Sequence, residues 1–167
     1  MYLGTCVLDC MSFGCRILFC GPKRGKSLIL SDWLGGRWES PTICFDERRA
    51  TFCFDGTRCD CLILDLSGKE YYWRFQEILV SDIDILVLFD DTMNWFHRVY
   101  PCSEPSIVLV VSEKKLQDVV DGIRNHVKSC KRVHPQRFKS KIKKAIHLFL
   151  KSKMNNAKQV YNADTSL

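Results

Sequence analysis

Asp84–Phe89 (DILVLF) and Ser106–Val111 (SIVLVV) are continuous apolar runs flanked by polar residues. A strand with one wet face alternates apolar and polar residues, whereas an unbroken apolar run is buried on both faces. Arg16–Cys20 (RILFC), closed by Gly21-Pro22, is a third short run of this kind. Such strands belong in a parallel sheet with helices packed against both sides, which limits the chain to the α/β class.

The segments between these runs fit that class. Lys26–Leu34 has helical character, with Leu28, Ile29, Trp33 and Leu34 available for one face and Gly35-Gly36 as a stop. Residues 37–43 are loop-like. Thr51–Phe54 and Cys59–Leu64 flank Asp55-Gly56, which predicts a hairpin. Residues 70–80, Leu116–Val127 and Pro135–Lys153 predict helices, with room for a short strand between the last two. The 15 residues from Asp91 to Pro105 between two of these runs read as a loop. The expectation is one three-layer α/β domain at 15–154 around a mostly parallel sheet, with some elements shortened. Residues 1–14 read as an N-terminal extension and 155–167 as a tail.

Composition excludes several alternatives. At 167 residues, 46% hydrophobic and 26% charged, the chain can bury a sizeable core and is neither disordered nor low-complexity. No run of 18 apolar residues offers a membrane span. The N-terminal stretch has no early positive charge and no long apolar segment, so an intracellular, cytoplasmic protein without a signal peptide is expected. Gly4 is not placed for myristoylation and the last residues form no prenylation box, so no stable membrane anchor is expected. The ten cysteines contain no C-x-x-C and read mainly as small buried hydrophobes, with neither zinc-finger spacing nor a disulfide framework.

Charge is uneven. Residues 1–121 hold 13 Lys/Arg and 18 Asp/Glu, while residues 122–163 hold 12 Lys/Arg and no acid. A basic third could serve nucleic acid, a lipid surface or an acidic partner. It could equally be the solvated face of a terminal helix. Phe138, Ile142, Ala145, Ile146, Phe149 and Leu150 form an apolar stripe at helical spacing with the lysines mainly off it, which favours the second reading. No nucleic-acid partner is expected.

The strongest motif is Cys20-Gly21-Pro22-Lys23-Arg24-Gly25-Lys26-Ser27, between a strand and a helix. Gly25, Lys26 and Ser27 match the end of the phosphate-loop pattern, whose backbone N–H groups and lysine cradle phosphates and whose hydroxyl ligates Mg²⁺. The leading glycine is replaced by Cys20, with Gly21 one residue later, and Pro22 removes one N–H. Thr42 on a loop and Asp65-Leu66-Ser67-Gly68 after the hairpin follow in order.

Together these residues resemble the Ras-superfamily small GTPases, above all over PTICFDERRATFCFDGTRCDCLILDLSGKE. The resemblance implies a GTP or GDP site formed by Gly21, Lys23, Arg24, Gly25, Lys26, Ser27, Leu28, Thr42 and Gly68. It further implies Mg²⁺ held by Ser27, Thr42 and Asp65. Three departures follow. Lys69 stands where the family has a water-orienting Gln, and an ammonium only donates, so slow hydrolysis is expected and no catalytic residue is assigned. Ser112-Glu113-Lys114-Lys115 replaces the guanine-reading Asn-Lys-x-Asp, which leaves base identity open. Lys131–Pro135 replaces the Ser-Ala-Lys loop.

ILFCGPKRGKS and CKRVHPQRFKSKIKKAIHLFLKSK are similar to the Rab-like subfamily of the intraflagellar transport train, a likeness spanning residues 16–153. It implies a subunit of complex B that docks on a coiled-coil partner in cilia or flagella. An active signalling or trafficking GTPase and a nucleotide-free adaptor retaining only the fold remain alternatives.

Overall fold

The structure, a computed structural model, describes residues 12–21, 26–35, 44–69, 72–89, 92–114 and 116–164. For Ser27, Phe75, Thr92 and residues 160–164 it describes the backbone alone. The chain runs β1 (Ser12–Cys20), α1 (Lys26–Leu34), β2 (Phe45–Phe54), β3 (Thr57–Leu66), α2 (Trp73–Gln76) and a 3-10 turn (Glu77–Val80). It continues through β4 (Ile85–Phe89), α3 (Thr92–Val99), β5 (Ile107–Val111), α4 (Gln117–Arg124), β6 (Ser129–Val133), a 3-10 turn (Pro135–Arg137) and α5 (Phe138–Asp164).

The six strands lie in one sheet in the order β2-β3-β1-β4-β5-β6. Every neighbouring pair is parallel except the β2–β3 hairpin. The three apolar runs became β1, β4 and β5, and all five residues of β4 and of β5 are buried. The edges read differently. β2 sets Glu47 and Arg49 toward solvent and β6 exposes Lys131 and Arg132, charges that discourage another chain from adding a strand. At the hairpin tip Asp55 (φ 49°) and Gly56 (φ 79°) both take positive φ, the turn that the Asp-Gly pair predicts.

Alternate residues of the central strands feed two separate layers. Ile17, Phe19, Ile63, Val87 and Leu109 pack on one face with Leu30 and Trp33 of α1 and with the whole predicted stripe of α5. Leu18, Leu64, Leu86, Leu88, Val108 and Val110 pack on the other, under Trp95, Phe96 and Val99 of α3 and Val120 and Ile123 of α4. Lys139, Lys141, Lys143 and Lys144 are exposed, so along this stretch α5 is a packed helix with a basic outer face.

Several local expectations needed correction. The expected loop at 91–105 contains α3, because Trp95, Phe96 and Val99 share one face and close the second layer. Within the expected helix at 70–80, the described residues divide between α2 and a 3-10 turn, and residues 70–71 lie outside the described residues. The hairpin strands extend further than the β-rich runs alone suggested. β1 begins at Ser12 and α5 continues to Asp164, so the expected boundaries at 14/15 and 154/155 fall inside regular elements.

Phe138 starts α5 at the junction of β1, α1 and β4. Its ring lies 5.9 Å from those of both Phe19 and Trp33, and 6.3 Å from that of Phe89. Phe138→Ala should therefore cost roughly 3–5 kcal/mol of unfolding free energy. Urea unfolding would check this, and the exposed Leu148→Ala should shift the midpoint far less.

Candidate functional site

In this strand order the connection from β1 leads toward β2 and β3, while that from β4 leads toward β5. Adjacent parallel strands whose connections diverge leave a crevice beyond their carboxyl ends. Gly21 after β1, the end of β3 and the end of β4 lie at this end of the sheet.

Gly21 is buried at φ +126°, and a Cβ at this position would run into the carbonyl of Phe89 at the end of β4. Only glycine meets both conditions, and this lets the chain turn closely across the neighbouring strand. Lys26, the first residue of α1, is 1% exposed, and Asp65, near the end of β3, is 0% exposed. Their Nζ and Oδ1 atoms are 2.6 Å apart, and Lys26 Nζ also donates to the carbonyl of Leu66. The pair joins the start of α1 to the end of β3.

At an effective dielectric of about 20, this separation gives an attraction of about 6 kcal/mol. Desolvating each ion costs several kcal/mol, so the pair is close to neutral as a whole. Loss of one partner is different, because the remaining charge stays buried without compensation.

The segment after β3 is clamped to the start of β2. Ser67 N–H and Gln76 Nε2 both donate to the carbonyl of Cys44, at 2.9 Å and 2.5 Å. Gln76 is fully buried and its Nε2 also reaches the carbonyl of Ser67 at 3.3 Å. Gly68 is half-buried and Lys69 exposed. Cys20 lies beneath the crevice, and burial pushes its thiol up to about 12, so it is a packing group rather than a nucleophile.

After β5, Ser112 is buried and its Oγ accepts from the N–H of Lys114 at 3.1 Å. Arg132 Nη2 donates to the carbonyl of Glu113 at 2.9 Å. This turn is held by Ser112 and Arg132, while Glu113 and Lys114 project to solvent.

Of the nucleotide and metal residues expected from the sequence, Gly21, Lys26, Asp65 and Gly68 come to this end of the sheet. Lys23, Arg24, Gly25 and Thr42 lie outside the described residues, as does the Ser27 side chain. Leu28, expected to line the nucleotide site, is 77% exposed on α1. Asp65 offers the oxygen donor that Mg²⁺ takes, with Lys26 already against it, so the donor set fits a metal only where that contact is shared or exchanged. Gln76 went unrecognised in the sequence, where a single glutamine in an amphipathic stretch gives no signal of its two carbonyl partners.

Comparison with protein-family models gives no match, and comparison with curated proteins gives none either.

Lys26→Met should destabilise the fold by about 3–5 kcal/mol by leaving Asp65 buried and uncompensated. Adding Asp65→Leu should recover most of that loss, as read from the urea midpoints of the single and double variants. Equal midpoints for the two would show that the buried Asp65 charge is not what destabilises Lys26→Met.

Proposed function

We propose that this chain is an atypical, Rab-like small-GTPase-type module that holds a guanine nucleotide with Mg²⁺ and works mainly by docking on a partner protein. The observation that carries the reading is the meeting of Gly21, Lys26 and Asp65 at the carboxyl ends of β1, β4 and β3. A phosphate loop needs a glycine that admits close backbone approach, a lysine at the start of the following helix and an acid at the end of a nearby strand. In this reading Lys26 and the N–H groups at the start of α1 bind phosphate oxygens. Ser27, Thr42 and Asp65 would hold Mg²⁺, which supplies charge neutralisation between the phosphates. In this reading the Gly68 N–H senses the terminal phosphate.

Hydrolysis is slow in this reading because Lys69 cannot accept a hydrogen bond from an attacking water. Base selection is weak in this reading because Lys115 stands where the family has the carboxylate that accepts from guanine, and an ammonium cannot accept. Docking is supported by Phe45 and Ile78, which are 40% and 82% exposed on segments that the Cys44–Gln76 hydrogen bond brings together. The partner proposed is a coiled-coil subunit of intraflagellar transport complex B, and the setting a cilium or flagellum. Both rest on the likeness of ILFCGPKRGKS and CKRVHPQRFKS to that subfamily. One observation favours a nucleotide-free adaptor instead: the Lys26 ammonium already has Asp65 and the Leu66 carbonyl as partners.

Titration with a fluorescent GTP analogue in Mg²⁺ separates the readings. A nucleotide module should saturate at one equivalent, with displacement by unlabelled GTP or GDP and at least a tenfold loss on Lys26→Met in protein still folded by circular dichroism. No saturation would favour the adaptor. Given binding, Lys69→Gln should raise the single-turnover hydrolysis rate roughly tenfold or more, because it restores an amide that can position water.

A further inference from the structure

The opposite, amino-terminal part of the sheet carries a second cluster that is independent of the nucleotide reading. Cys15 of β1 pairs in register with Cys61 of β3, and Cys59 lies two residues earlier on the same face of β3. All three side chains enter the α1/α5 layer and are 1%, 0% and 2% exposed for Cys15, Cys59 and Cys61. Their sulfurs all lie within 4.8 Å of one another, and the Cys59 and Cys61 sulfurs are 3.8 Å apart. Measured along β1 at about 3.3 Å per residue, this cluster is roughly 20 Å from Gly21.

Three buried thiols could simply be small hydrophobes, and that was the expectation for most of the cysteines. Their convergence is more specific than packing requires. For an ion about 2.3 Å from each of three sulfurs in a trigonal plane, the sulfurs sit about 4 Å apart. The spacing here is close to that without moving either strand. No His, Asp or Glu joins the three among the described residues, so the donor set is sulfur alone. Phe13, Ala50 and Phe52 pack against the layer, and in register Phe13 and Phe52 oppose Cys59 while Ala50 opposes Cys61. These apolar neighbours offer no fourth ligand. Structural zinc is nearly always four-coordinate, whereas an all-thiolate site of lower coordination suits the softer, monovalent copper ion.

We propose that Cys15, Cys59 and Cys61 form a three-sulfur site for Cu(I), held between β1 and β3 under α5. Each ligating thiol gives up its proton as the metal enters, and no electron is transferred.

The test uses the full chain, reduced and free of oxygen, loaded with Cu(I) in excess ascorbate and then passed over a copper-chelating resin. The wild type should retain one copper per chain, with thiolate-to-metal charge-transfer absorption in the ultraviolet and sulfur-only coordination by X-ray absorption. The variant with Cys15→Ala, Cys59→Ala and Cys61→Ala should retain less than a tenth of that. Cys53→Ala, at an exposed cysteine, should retain the full amount. Four outcomes would each overturn the assignment: wild type that leaves the resin without copper, copper that stays with the triple variant, Zn²⁺ retained where Cu(I) is not, or the mass loss of a disulfide in place of metal uptake. The wild-type retention decides the proposal even where the triple variant fails to fold.

Discussion

The ion pair between Lys26 and Asp65 is the constraint on which the carboxyl end of the sheet depends. Asp65 points from β3 into the apolar layer shared with Phe19 and Ile63, where an ionised carboxylate without a partner would be costly. Lys26 meets that requirement, and in doing so it fixes where α1 begins. The same lysine contacts the carbonyl of Leu66, so the loop after β3 is positioned by the same residue. Because a buried pair of this kind adds little net stability, its contribution is placement. It brings the ends of two strands and the start of one helix to a single point.

The rest of the architecture supports that point from both sides. The aromatic group of Phe19, Trp33, Phe89 and Phe138 fills the layer beneath α1 and α5. On the opposite face, Arg98 of α3 lies over the rings of Trp73 and Trp95 at 5.8 Å and 5.6 Å, linking α3 to the segment that follows β3. Gln76 then ties that segment to the start of β2 through the carbonyl of Cys44. Cys44, just before β2, and the described residues after β3 are thus directly connected.

Much of the fold was legible because its strands are buried on both faces. The runs at Arg16–Cys20, Asp84–Phe89 and Ser106–Val111 could be read without alternatives, and Asp55-Gly56 specified its turn chemically. β6 was only faintly visible, since an edge strand of sequence SCKRV buries Cys130 and Val133 alone. α3 was missed because loop length was weighed ahead of the shared face of Trp95, Phe96 and Val99. At the site, Gly21, Lys26 and Asp65 were identifiable by type and spacing. Their mutual contacts were not, because residues far apart in sequence meet only once the strand order is known. The same reason hid the cysteine cluster: Cys15 and Cys61 become neighbours through the β1–β3 register, which no spacing rule encodes. Among the described residues no helix is long and apolar enough to cross a membrane, in line with the absence of a long apolar run.

What the purified protein carries decides whether this end of the sheet is the phosphate site proposed for it. Denaturing the chain after incubation with Mg²⁺ and mixed nucleotides, then separating the released small molecules by anion-exchange chromatography, gives both identity and amount. A phosphate site should release close to one nucleotide per chain, with guanine and adenine forms both present because base selection is weak. A chain that releases no nucleotide after that incubation would contradict it.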